Sequence, residues 1–498
     1  MLLEAFVEAL QFFTHPEFLL MVFAGVLIGL TFGLIPGLSS IVAGALLLPF
    51  LFHMQPEQAL PLLMAVFSVT FTGGSITAIL LNIPGTPTNV ATLLDGYPMT
   101  QKGQGGRALG AALMSSGTGG ILTVFFALAM VPLVLPLIRA VGSGELVFLI
   151  LMGLTFIAVL GRGSMIKGLM AGGVGLMLSF VGLHRITGAL RFTLGTTHLV
   201  SGLAVIPVAL GLYALPEMIA LATRGGTIAR RDTPLVTLRS VMEGAKDVLR
   251  HWGLWLRSCV IGYVIGVIPG VGAPTATFVA YGQARQLSKH PERFGAGAIE
   301  GVIAPESANN AKESGALLTT LALGIPGSAE MVLLLAALLL LGQRPGPEML
   351  TVHLSLSLSL IMVIAVANLL GTAICLLFAS RLTRVATIPA RLLVPTVLIL
   401  VFIGAFAYEE QFADIGVLLV FGLLGLVMRR YDFSRPALFL GYVLGDLFEK
   451  YFFIASYAIG PLFFLRPISL SIIFVIIALF VVPPVRDLLA RRSKGGAK

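Results

Sequence analysis

The sequence predicts an all-α polytopic membrane protein of two inverted-topology repeats, with Pro-Gly-broken helices or re-entrant hairpins. Three observations carry that prediction. Of 498 residues, 57% are hydrophobic and 11% charged, against about 25% charged in an ordinary soluble domain. Apolar runs near the roughly 20 residues that cross a bilayer recur along nearly the whole length. Two helix-breaking phrases of the first half return in the second. Gly29-x-x-x-Gly33-x-Ile35-Pro36-Gly37 becomes Gly262-x-x-x-Gly266-x-Ile268-Pro269-Gly270, and Ile83-Pro84-Gly85 becomes Ile325-Pro326-Gly327. Around the second pair, Gly73, Thr77, Leu81 and Val90 recur as Gly315, Thr319, Leu323 and Val332. Duplicated, interrupted hydrophobic segments are the mark of a secondary transporter.

In order, the apolar segments run roughly 18–35, 40–52, 59–82, 108–138, 144–160, 164–183 and 197–221. After a basic stretch they resume at 253–268, 272–284, 314–324, 328–342, 352–380, 388–406, 412–428, 436–448 and 467–483. The short ones beside Pro-Gly read as half-helices or re-entrant hairpins. About 10 to 14 spans are expected, plus such hairpins. The chain thus divides into a first transmembrane repeat (1–221), a basic cytoplasmic loop (222–252), a second repeat with additional helices (253–483) and a basic cytoplasmic tail (484–498).

The net charge of +9 is uneven. No Lys or Arg precedes Lys102, whereas Arg224, Arg230, Arg231, Arg239, Lys246, Arg250 and Arg257 cluster, and Arg486, Arg491, Arg492, Lys494 and Lys498 fill the tail. The positive-inside rule places both regions in the cytoplasm. No basic–aromatic pattern accompanies them, so no nucleic-acid partner is expected. Between Pro36 and Pro84 there is no Lys or Arg; the equivalent stretch between Pro269 and Pro326 carries Arg285, Lys289, Arg293 and Lys312. Equivalent loops of opposite charge bias face opposite sides, which favours an inverted repeat over a parallel one. The N-terminus has no basic n-region and no small-residue cleavage site, so no cleaved signal peptide is expected.

The breaks supply the candidate substrate site. Pro and Gly stop a helix inside the membrane, and the freed backbone groups need polar partners. The helix that restarts after each break offers free N–H donors and a partial positive charge, suited to a carboxylate. The candidate substrate-binding residues are therefore Pro36, Gly37 and Ser39 at the first break, and Asn82, Gly85, Thr86, Thr88 and Asn89 at the second. In the second half they are Gly270, Gly272, Gly327 and Ser328. A bulky residue at Gly85 or Gly327 would block the approach, and would be strained if φ is positive there. The polar run from Ala304 to Gly315 adds Asn309 and Asn310 as substrate amides, and Glu306 and Glu313 as ion-coupling candidates, since ionisable groups at membrane depth are costly. The bland alternatives are helix packing for the Gly-x-x-x-Gly steps and, for the polar run, a solvated interfacial loop with Lys312 paired to a neighbouring acid.

Other chemistries lack their signatures. There is no Gly-x-Ser-x-Gly elbow, no His-Glu-x-x-His and no Gly-x-x-x-x-Gly-Lys-Ser/Thr loop, so neither an enzyme nor an ATP-driven pump is expected. Cys259 and Cys375 support neither a disulfide framework nor a metal site, and His53, His184, His198, His251 and His353 are scattered. No cofactor and no metal are expected; an ion gradient would drive transport. A channel or structural membrane scaffold is the alternative, and an intramembrane enzyme a third.

At Gly73-Gly74-Ser75-Ile76 through Asn82-Ile83-Pro84-Gly85-Thr86-Pro87, Leu94-Asp95-Gly96-Tyr97-Pro98-Met99, Gly106-Arg107-Ala108-Leu109-Gly110, Ala304-Pro305-Glu306, Ala308-Asn309-Asn310 and Leu323-Gly324-Ile325-Pro326-Gly327-Ser328, the chain resembles the large membrane subunit of the bacterial tripartite tricarboxylate transporters. That resemblance implies uptake of an organic carboxylate, such as a tri- or dicarboxylate, across the bacterial inner membrane. It also implies sodium or proton coupling, a periplasmic solute-binding protein and a small transmembrane subunit. Lys312-Glu313-Ser314 stands where the family has small residues, and Thr88-Asn89 replaces an alanine-rich run; either change bears on the substrate. The Lys/Arg-poor loops around His53 to Gln58 and Tyr408 to Asp414 are candidate docking surfaces.

Overall fold

A computed structural model describes residues 2–35, 38–160, 164–184, 187–224, 236–382 and 390–495. Pro36 and Gly37, two candidate site residues, lie outside the described residues.

The first half runs α1 (Leu2–Phe12), α2 (Pro16–Leu34), α3 (Ser40–Leu51), α4 (Pro56–Leu81), α5 (Val90–Gln101), α6 (Gly105–Arg139), α7 (Ser143–Leu160) and α8 (Met165–Ser179). A hairpin follows, β1 (Gly182–Leu183) antiparallel to β2 (Leu190–Arg191). α9 (Val205–Ala209) continues through a π turn into α10 (Leu215–Arg224). The second half runs α11 (Leu238–Arg250), α12 (Trp252–Val267), α13 (Ala273–Leu287), α14 (Glu300–Leu323), α15 (Ala329–Leu340), α16 (Pro347–Thr351) and α17 (Leu354–Leu382). It closes with α18 (Ala390–Ala407), α19 (Phe412–Arg430), α20 (Arg435–Ala458) and α21 (Pro467–Gly495).

Among the described residues, 6 helices are long and apolar enough to cross a membrane, and shorter apolar helices accompany them. Three of the shorter ones, α3, α12 and α15, begin or end at a break. α3, α5 and α15 each have 12 residues. At 1.5 Å per residue they reach about 18 Å, well short of a hydrocarbon core of about 30 Å.

The breaks have the same local cause in each half. Ile35 and Ile268 each precede a proline and are extended (φ −92°, ψ 107° and φ −83°, ψ 112°), which ends α2 and α12. α4 and α14 end on left-handed residues, Asn82 (φ 58°) and Gly324 (φ 67°). Only Gly, and occasionally Asn, takes that conformation without penalty.

The packing repeats as well. A Cβ at Gly29 would sit 2.6 Å from the Val66 carbonyl oxygen, and one at Gly262 would sit 2.6 Å from that of Ala308. One turn on, Gly33 lies against the Thr70 carbonyl and Gly266 against that of Lys312. Backbone meets backbone at both crossings, so the Gly-x-x-x-Gly steps are packing devices that join α2 to α4 and α12 to α14. α4 and α14 form the centre of the molecule, with nearly every residue buried.

Three features depart from the sequence reading. The basic segment 222–252 is not a continuous loop. From Leu238 it forms α11, whose Gly244 lies against the Arg107 carbonyl and whose Asp247 accepts from Arg107 Nε at 2.6 Å. The tail beyond 484 continues as backbone helix to Gly495. Lys312 lies inside α14, 1% exposed, so it is neither a loop charge nor part of a solvated interfacial loop. The charge contrast between the halves then rests on Arg285, in the last turn of α13, and on Lys289 and Arg293 after it.

Candidate substrate cavity

The residues after all four breaks face one cavity of about 830 Å³, within the size range of small-molecule sites. Ser39, Ser40 and Ile41 come from the start of α3; Pro84 to Thr88 and Val90 from the second break. Gly270 to Thr275 come from the third break and the start of α13, and Ser328 to Glu330 from the start of α15. Ser39, Thr86, Gly272 and Ser328 are the residues that begin the four helical segments. Ser39 accepts from the Val42 N–H at 3.4 Å, and Gly270 and Gly272 hold φ of 77° and 75°, which keeps the third break tight.

Of the sequence-predicted residues, Ser39, Gly85, Thr86, Thr88, Gly270, Gly272 and Ser328 line this cavity. Gly327 adjoins it through Ser328. Gly85 and Gly327 are not among the positive-φ glycines. Their need for glycine comes from contact instead. A Cβ at Gly85 would run into the Gly74 backbone and lie 2.6 Å from the Gly33 carbonyl oxygen; one at Gly327 would lie 2.5 Å from Ala316 Cα. Asn82 caps α4 rather than lining the cavity.

A polar network lies one layer behind. Thr86 donates through N and Oγ1 to Asn89 Oδ1 (3.2 and 2.7 Å), Asn89 Nδ2 donates to Ser75 Oγ (2.8 Å), and Ser75 Oγ lies 2.8 Å from both Glu306 oxygens. Thr92 Oγ1 donates to Glu306 Oε1 at 2.5 Å. Glu306 is thus fully buried yet linked to the cavity by hydrogen bonds. Asn309 and Asn310 do not reach the cavity. Both are fully buried in α14, and Asn310 Nδ2 donates to Thr72 Oγ1 (2.9 Å) and Asn368 Oδ1 (2.6 Å).

Sequence reasoning missed the cavity's charged groups. Glu330 forms part of the wall and accepts from Ser40 Oγ at 3.2 Å. Behind it, buried Lys312 pairs with buried Glu313, lies 3.8 Å from Glu330 and sits 4.4 Å over the Phe71 ring. Glu217 lines another part of the wall and pairs with Arg429 (3.0 Å) and Arg435 (3.1 Å). The signal was available: Glu217 and Glu330 each interrupt an apolar run. Their partners come from distant segments, so no spacing pointed to them. The two glutamates and two arginines of the wall cancel, which leaves the helix starts as the net attraction for an anion.

Another motif proves architectural. Asp95 is fully buried and accepts from the N–H groups of Gly295, Gly297 and Ala298 (each 2.8 Å) and from Tyr281 Oη (2.9 Å). It fastens α5 to the loop that leads into α14.

The model of the Tripartite tricarboxylate transporter TctA family matches residues 19–440. An Agrobacterium vitis protein described as an uncharacterized 52.8 kDa protein in the TAR-I ttuC' 3' region is 34% identical over 476 residues, 95% of this chain and 94% of that protein. A second Agrobacterium vitis protein, described as an uncharacterized protein in the TAR-II ttuC' 3' region, is 36% identical over 232 residues, 45% of this chain and 96% of that protein. No solved structure matches the chain. With its apolar helices, its breaks gathered on one cavity and a family match over most of its length, the chain is a multi-pass membrane protein that belongs to the tripartite tricarboxylate transporter TctA family.

Proposed function

We propose that this protein is the large permease subunit of a binding-protein-dependent tripartite transporter, and that it carries an organic carboxylate across the inner membrane by ion-coupled alternating access. One observation carries the reading: four helix starts, two from each repeated unit, bound a single cavity. Each start offers unsatisfied N–H groups, the environment a carboxylate needs in place of water. Repeated contacts at Gly29/Gly262, Gly33/Gly266 and Gly85/Gly327 support two equivalent units. The loop-charge contrast supports their inversion in the membrane.

Coupling to a sodium ion or a proton is assigned to the carboxylates beside the cavity. Glu306, Glu313 and Glu330 are buried, while Lys312 supplies one positive charge near the latter two. Entry of an anion beside Glu330 is favoured when that carboxylate is neutralised, which links substrate binding to cation binding.

The periplasmic binding protein and the small membrane subunit are the proposed partners. Phe52 stacks edge-on with Tyr408 at 4.9 Å, so the two candidate docking loops adjoin. Glu410 is exposed and Glu409 partly so, but Asp414 is fully buried and unavailable to a partner.

The test is uptake by the reconstituted protein with both partners, across mono-, di- and tricarboxylates, with and without sodium or proton gradients. Gradient-dependent uptake of one carboxylate class is expected. Gradient-independent flux of many anions would establish the channel alternative.

A further inference from the structure

We infer that His198, Glu409 and Asp414 form a binding site for a divalent first-row metal cation of the zinc class. The site lies away from the substrate cavity, where the short 3₁₀ turn His198–Ser201 meets the connection between α18 and α19 and the first turn of α19. One ligand atom from each residue lies within 4.8 Å of the others.

The second observation is a set of buried atoms that lack partners. Asp414 is 0% exposed, and neither of its carboxylate oxygens has a hydrogen-bond partner. His198 Nε2 is also buried without a partner, 3.6 Å from Asp414 Oδ1. On the other side of the ring, Nδ1 lies 2.7 Å from Gln411 Oε1. A glutamine carbonyl oxygen only accepts, so Nδ1 carries a hydrogen and Nε2 is the ring nitrogen that faces the carboxylate. Two desolvated acceptors side by side are unfavourable unless a proton or a metal cation lies between them, and the carboxylate oxygens also lack any other donor.

A metal cation answers that arrangement. Zinc takes imidazole nitrogen and carboxylate oxygen at about 2.0–2.2 Å in tetrahedral geometry, which puts neighbouring ligand atoms roughly 3.3–3.5 Å apart. The His198–Asp414 separation of 3.6 Å is already close to that. Glu409 supplies the third ligand, water the fourth, and Gln411 is a positioning residue that sets the tautomer. The bound cation would clasp the His198–Ser201 turn to the α18–α19 connection. Histidine 198, scattered among others in the sequence, becomes a ligand only through this fold.

The test uses the full chain, purified in detergent with any affinity tag removed, stripped with a chelator, and titrated calorimetrically with ZnCl2 and then MnCl2. One equivalent of zinc is expected to bind more tightly than manganese and to raise the melting temperature. His198→Ala and Asp414→Asn are each expected to weaken zinc binding by roughly tenfold or more, and Gln411→Ala by about 10- to 100-fold with the ligands intact. If Asp414→Asn is not monodisperse, His198→Gln, which retains a polar side chain at a partly exposed position, carries the test. Absence of saturable binding overturns the assignment. Unchanged zinc affinity in both His198 variants overturns it equally.

Discussion

At the scale of single residues, the cavity depends on groups too small or too buried to touch much solvent. Gly85 and Gly327 bring the second and fourth breaks against α4 and α14, with no room for a Cβ. Gly85→Ala and Gly327→Ala are each expected to cost about 1–3 kcal/mol by overpacking and to lower uptake; thermal unfolding and transport, measured together, check this. Glu330 is the carboxylate of the cavity wall closest to a buried cation. Glu330→Gln should leave substrate binding intact while uptake loses its dependence on the ion gradient. Unchanged gradient dependence in that variant would remove Glu330 from the coupling. Asn310 bridges Thr72 and Asn368, so Asn310→Ala removes a buried donor from Thr72 Oγ1 and from Asn368 Oδ1. A loss of about 1–3 kcal/mol in stability is expected. A variant as stable as the wild type but inactive would instead assign Asn310 to transport.

Elements are held by a few polar fasteners in an otherwise apolar bundle. Asp95 is the clearest, with three backbone N–H donors from one loop. Asp95→Ala strands those donors and should cost about 2–4 kcal/mol, since hydrogen bonds to a charged group are worth about 1.5–3 kcal/mol. Proteolysis would be expected to reach the 295–298 loop in the variant before the helices. The pair of Lys312 and Glu313 within α14 behaves differently. Lys312→Met removes the cation that faces two buried carboxylates, Glu313 and Glu330, at a cost of about 3–5 kcal/mol. Adding Glu313→Leu should recover much of that loss, and a double-mutant cycle in thermal unfolding measures how much.

At the scale of the whole molecule, residues that follow the breaks of both halves line one cavity. Most of the chain's described length is helix, and among the described residues no separate domain stands ready to capture a dilute substrate. The reconstituted chain alone is therefore expected to show little uptake at low substrate concentration, and adding the binding protein and the small subunit should restore it. Full high-affinity uptake by the isolated chain would make it a self-sufficient carrier.

Local rules made much of this legible in the sequence. Composition determined a helical membrane protein, because apolar runs of that length have few other stable forms in water or lipid. Proline and glycine determined where helices stop, because ring closure and the missing Cβ act within a residue or two. The four breaks were thus readable in advance, as were seven of the residues that line the cavity. Only the tertiary structure decided what the breaks enclose. It put Asn309 and Asn310 behind the wall, turned Glu306 into the end of a hydrogen-bond chain, and buried Lys312 against Glu313. It also brought Arg429 and Arg435 to Glu217 across the fold. Those outcomes depend on which helix lies beside which, and long-range packing leaves no periodic trace in the chain. The same limit hid His198 and Asp414 from one another, 3.6 Å apart in space and on separate segments of the sequence.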